Sequence, residues 1–177
     1  MKIILIINLV IVFCMVLIPL KGHAETFLTE QQARNIIWKD TILTPVNVEL
    51  TKDQMKSIKK SSGTRVRNRK LKAWKTEGGG WFIIDQIIGK HENIDIAVGL
   101  TKDGKVKDIE ILTYRETYGG QVRNPKWLSQ FFGRDHSKVL KLDKDIKNIS
   151  GATLSCRHVT DGINRLTNTW DQVLRYL

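Results

Sequence analysis

The chain has 177 residues, 41% hydrophobic and 27% charged, which is enough for one packed core and short for two full domains. Lysine and arginine outnumber aspartate and glutamate 29 to 18, a formal charge of +11, and there are only two cysteines and four histidines. That composition excludes a disulfide framework, and the scattered His91, His136 and His158 exclude a zinc site of ordinary spacing.

Residues 1–24 read as a secretory leader. Lys2 is followed by an uncharged apolar run from Ile3 to Leu20, and Gly22 and Ala24 are small enough for a signal peptidase to cut before Glu25. The run is also long enough to span a bilayer as an uncleaved anchor. Cys14 follows Phe13, where a lipoprotein site needs a small residue, so lipidation is not expected. Either reading exports residues 25–177 to the periplasm or the outer face of the cytoplasmic membrane. Cleavage leaves Cys156 alone and the remaining 153-residue domain at +9.

In chain order, Thr29 with Gln32 and Thr51 with Gln54 are capping boxes that predict two short helices, the second ending near Gly63. Pro45 is expected to break the chain between them, ahead of a strand over 46–50. Ten cations crowd together from Lys52 through Lys75. Export disfavours nucleic acid as their partner, leaving either a solvated helix face and edge strand or a docking surface for an acidic partner or anionic lipid. Strands are predicted over 71–75, 81–88, 94–101 and 106–114, separated by Gly78-Gly79-Gly80, by the 89–93 turn and by Asp103-Gly104. Alternation through Ile94, Ile96, Val98 and Leu100 predicts an antiparallel sheet of about four strands with one buried face. Asn124 and Pro125 open a helix toward Phe132. Val159, Ile163, Leu166, Trp170, Val173 and Leu177 form the apolar stripe of a last helix, running from Ser155. The fold class is α+β, with helices covering the sheet.

The chemistry concentrates in Ile149-Ser150-Gly151-Ala152-Thr153-Leu154-Ser155, directly before that helix. Serine and threonine here suit a helix N-cap. The same residues suit an anion site, where small residues admit a phosphate to the helix amides and Thr153 offers an attachment point. Ser155, His158 and Asp161 step by three along one helix, but no Gly-x-Ser-x-Gly elbow accompanies them, so a hydrolase triad is not expected.

Ser150-Gly151-Ala152-Thr153 followed by Leu154-Ser155 resembles the flavinylation signature of the FMN-binding domain family, which includes the flavin-bearing soluble subunits of Rnf and sodium-pumping NADH:quinone oxidoreductase complexes. The resemblance extends over the opening 28–33, Ile109 to Thr117, Gln130-Phe131-Phe132-Gly133 and Ile149 to Gly162, and is closest to single-domain exported members. It implies FMN held as a phosphoester on Thr153, installed by a separate metal-dependent flavin transferase that uses FAD. It also implies a loop of Glu116, Thr117 and Gly119 near the flavin. One departure is Lys147, which stands where the family usually has aspartate, with Asp145 two positions too early. On this resemblance the domain is an electron carrier between membrane and exported redox proteins. A non-covalent FMN-binding reductase and a non-redox basic envelope-binding module are the alternatives. Arg115 and Arg157 would favour a negatively charged flavin if they point inward, and Trp81, Trp127, Tyr114 and Tyr118 are candidates for stacking on it, against an ordinary place in the core.

Overall fold

The computed structural model describes residues 25–89 and 92–177; the leader with its cleavage point, Cys14 and His91 lie outside the described residues. Its elements are β1 (Glu25–Thr26), α1 (Glu30–Ile37), β2 (Leu43–Glu49), α2 (Lys52–Ser62), β3 (Lys70–Thr76), β4 (Trp81–Ile88), β5 (Asn93–Leu100), β6 (Val106–Tyr114), α3 (Pro125–Leu128) and α4 (Thr153–Gln172). The strands form one antiparallel sheet in the order β1-β6-β5-β4-β3-β2.

Both capping boxes form. Thr29 accepts from the amide of Gln32 and Thr51 from that of Gln54, while each glutamine reaches back to the cap amide. Such a cap contributes about 1 kcal/mol to the helix it opens. Asn124 caps α3, which tightens into a 3₁₀ turn over Ser129–Phe131.

Three expectations need correction. The sheet has six strands rather than about four, because the 46–50 strand extends back to Leu43 and joins β3, and because Glu25–Thr26 adds to β6. Pro45 does not break the chain. It sits within β2 opposite Trp74, on an edge strand, where its missing N–H costs no ladder bond on the open side. Both faces are buried, not one: α4 covers the face carrying Ile83, Ile96, Val98 and Ile109, while α1 packs Ala33 and Ile37 against Trp74, Phe82, Ala97 and Leu112 on the other. An alternating apolar pattern marks one face clearly and hides a second built from Ala97 and partners far apart in sequence.

The α4 stripe is real over Val159, Ile163, Leu166 and Trp170, but the helix stops at Gln172 and Leu177 is exposed. The segment before α4 is pinned to it by Asn164, whose side-chain amide accepts from the Leu140 amide and donates to the Leu140 carbonyl, both at 2.9 Å. The ladder between β3 and β4 ends at Lys72 and Ile84. Just beyond, Arg165 of α4 is ion-paired with Asp85, both largely buried.

Candidate functional site

The site lies where β6 ends and α4 begins. α4 starts at Thr153 with Ala152 as its N-cap residue, and no side chain caps its first turn. The structure thus separates the two readings of this stretch: neither Ser150 nor Thr153 serves as the cap, and the first helix bond runs from the Cys156 amide to the Ala152 carbonyl, 2.9 Å. The free first-turn amides form the positive end of a 20-residue helix, with no side chain capping them. A tight turn delivers the chain to this point. The Ala152 amide bonds the Ile149 carbonyl, and Gly151 adopts φ +81, a conformation that glycine takes without strain.

Gly151, Ala152, Thr153, Leu154 and Ser155 line a cavity of about 490 Å³ together with Glu116, Thr117 and Tyr118. Two stretches far apart in sequence, 116–118 and 151–155, are therefore walls of one cleft. An adjoining cavity of about 740 Å³ shares Glu116, Thr117, Tyr118 and Gly151 and continues past Gly119 to Phe27 and Arg123, whose guanidinium lies 4.0 Å above the Phe27 ring. Of the residues expected here, Ser150 is exposed and lines neither cavity.

Tyr114 joins the two walls. Its hydroxyl donates to the Tyr118 carbonyl and lies 2.7 Å from Ser155 Oγ. Burial pushes the Tyr114 phenol above its ordinary range, with the Ser155 hydrogen bond opposing. Gly119 fits under this junction with φ +98, and a Cβ there would stand 2.5 Å from both hydroxyl oxygens. Glu116 lines the cleft while its carboxylate accepts from the Glu92 amide, 3.0 Å, tying the loop to the β4–β5 turn.

Thr153 itself is half-buried, and its hydroxyl accepts from Asn148 Nδ2 at 2.9 Å. The other amide atom, Asn148 Oδ1, is buried with no hydrogen-bond partner. Lys147 is exposed, its backbone held by Gln130 Oε1 (2.8 Å) and Trp127 Nε1 (2.6 Å). Asp145 does not stand in for an acid at 147. It is paired with Lys138 and accepts from the Lys141 amide, contacts that hold its carboxyl below the usual range.

The family model of the FMN-binding domain matches residues 89–168. That stretch is similar to the FMN-binding domain family. It holds every wall of the cleft except Phe27. No curated protein compared with the chain matches it. The domain's residues fit the cofactor: a phosphate has uncapped helix amides and an open glycine turn to approach, and the two adjoining cavities have the scale of a small-molecule site.

Of the aromatic candidates, Trp81 is core, Trp127 packs edge-on against Phe131, and Tyr114 is the junction just described. Tyr118, 82% exposed, lines both cavities and is the exposed ring among these candidates. Arg115 points away, its guanidinium on Asp95 (2.6 Å) and the Asn93 carbonyl, and Arg157 faces outward. The Ser155-His158-Asp161 series forms no triad, since the Ser155 hydroxyl is engaged by Tyr114. Among the described residues no metal-binding group of side chains occurs. Asn148, Phe27 and Arg123 carried no local motif; their roles come from positions that the turn before α4 and the added edge strand create.

Proposed function

We propose that this FMN-binding domain is an exported electron carrier holding FMN as a phosphoester on Thr153. The observation that supports it is the placement of the Thr153 hydroxyl in the uncapped first turn of α4, inside the cleft walled by Glu116, Thr117 and Tyr118. When bound, the flavin supplies the redox chemistry. The protein supplies the rest. First-turn amides and the helix dipole favour the phosphate, Asn148 orients the Thr153 hydroxyl, and the Tyr114–Ser155 junction keeps the cleft walls at a fixed separation. Tyr118 and Leu154 form an exposed rim through which electrons pass to a partner.

The Thr153 hydroxyl is held by the Asn148 amide, a donor and not a base, and attachment falls to a separate flavin transferase and its metal ion. In that transfer the threonine hydroxyl loses its proton and AMP leaves from FAD. The apolar leader directs the domain outside the cytoplasm, cleaved before Glu25 or retained as an anchor, next to membrane or exported redox proteins. A second reading, FMN bound without the covalent bond, is favoured by Lys147 where the transferase would meet an acid.

Co-expression with a flavin transferase followed by intact mass measurement under denaturing conditions tests the proposal. One FMN phosphoester is expected on the wild-type chain and none on Thr153→Ala, with Ser155→Ala still modified. Flavin that leaves on denaturation supports the second reading, and flavin retained on Thr153→Ala overturns the attachment residue.

A further inference from the structure

The basic stretch between Lys52 and Lys75 divides in three in the fold. Arg69 and Lys72 are paired internally, with Glu49 (3.2 Å) and Glu30. Lys52, Lys56, Lys59 and Lys60 lie exposed along α2. Arg65 and Arg67 belong elsewhere. They flank Val66, which is buried in the core, and both are exposed. The Arg65 carbonyl accepts from Arg165, which Asp85 holds, and this anchors the segment on α4.

There Arg65 and Arg67 line a recess of about 170 Å³ with His158, Asp161 and Gly162. Arg157, exposed, is the neighbour of His158 on α4. Among the described residues none of the three guanidiniums has an ion-pair or side-chain hydrogen-bond partner. Arg157 is four residues past Thr153, about 6 Å along the helix, and exposed Leu154 lies between them on the rim of the flavin cleft.

We propose that Arg65, Arg67 and Arg157 are the docking surface for an acidic redox-partner protein, seated across Leu154 from the flavin cleft. The proposal rests on the reading of Thr153 as the flavin carrier. Unpaired guanidiniums bind carboxylates through paired N–H donors and steer an acidic protein toward this side during encounter. Arg65 and Arg67 line the recess and Arg157 stands beside it, next to His158 on α4, so a protein's side chains can enter where a bilayer's headgroup plane would bridge; the α2 lysines are the group that a flat anionic membrane would meet.

The test uses the full-length chain without flavin, so that its result is independent of attachment at Thr153. A fluorescently labelled polyglutamate peptide is titrated at low and physiological salt, beside sedimentation with phosphatidylglycerol vesicles. Arg65→Ser/Arg67→Ser/Arg157→Ser is compared with Lys52→Ser/Lys56→Ser/Lys59→Ser, which removes the same charge from α2. The arginine variant is expected to weaken peptide binding by roughly tenfold and the lysine variant by less than about threefold, with affinity falling as salt rises. Equal losses in the two variants, unchanged binding in the arginine variant, or dependence of vesicle but not peptide binding on the arginines would overturn the proposal. Arg157→Ser alone, at an exposed helix position, serves if the triple variant fails to fold. Peptide binding that survives while no FMN is found on Thr153 would sink the carrier reading and leave the acidic-docking surface standing.

Discussion

The Tyr114 hydroxyl at the end of β6 lies 2.7 Å from Ser155 Oγ in the first turn of α4, and this contact joins the two walls of the cleft. Tyr114→Phe leaves the Ser155 hydroxyl and the Tyr118 carbonyl without that partner in a buried setting, and is expected to cost about 1–3 kcal/mol. Gly119→Ala adds a Cβ 2.5 Å from both hydroxyl oxygens at φ +98, so it should cost at least as much and displace the 116–119 loop. Urea unfolding midpoints measure both. A Gly119→Ala protein as stable as wild type would show that the junction is not tight.

Modification speed should depend on the two residues ahead of the signature. Asn148→Ala removes the donor on the Thr153 hydroxyl and is expected to slow flavin attachment roughly fivefold, the rate equivalent of about one hydrogen bond. Lys147→Asp restores the acid that the family resemblance implies, on an exposed side chain whose backbone is already held by Trp127 and Gln130, and is expected to hasten attachment. A time course of intact mass with purified transferase reads both. Slower attachment in Lys147→Asp would show that the acid is not what the transferase reads here.

The parts of this arrangement legible in the sequence were those with a local cause. Thr29, Gln32, Thr51 and Gln54 announce their helices because the capping partners are three residues apart, and β4 and β6 were bounded by their turns and alternation. The second buried face was hidden because its members, such as Ala33, Trp74 and Leu112, share no periodic stretch. In the site, Thr153 and the 116–119 loop were legible through a short motif and a family resemblance. Asn148 and Tyr114 act through partners 5 and 41 residues away, and no spacing rule points to a contact that only the crossing of β6 and α4 creates.

The Asp85–Arg165 pair should be costly to break from either side. With Arg165 only 9% exposed, Asp85→Leu strands a buried guanidinium and is expected to cost about 3–5 kcal/mol, whereas Asp85→Leu/Arg165→Leu should recover much of it. Chemical denaturation of both single variants and the double closes the cycle. Additive losses would mean that each side chain acts through other contacts.

The flavin-loaded domain alone should not oxidise NADH. A dinucleotide crevice needs a parallel strand followed by a glycine-rich turn into a helix, and every strand pair of this sheet is antiparallel. Absorbance at the nicotinamide band after mixing tests this, and rapid oxidation by the purified domain would make it a reductase rather than a carrier.

Stability on mild acidification should fall, and His158 should carry part of the fall. Burial holds its imidazole below the ordinary value; Asp161 on the same helix and Glu116 from the loop oppose that, while Arg157 and Arg67 reinforce it. As pH drops below about 6.5 the unfolded chain takes up this proton first, so the folded state loses stability down to the lower folded pKa and no further. Asp85, Asp108, Glu110 and Asp161 shift the other way, each raised chiefly by burial. Their folded forms bind protons before the unfolded chain does, which offsets the loss closer to the carboxylate range, near pH 4. Urea midpoints of wild type and His158→Gln at about pH 7 and about pH 5.5 read the histidine together with its coupling to Asp161. Wild type should lose more stability between the two than the variant does. Parallel changes would show that His158 stays solvated enough to titrate alike in both states.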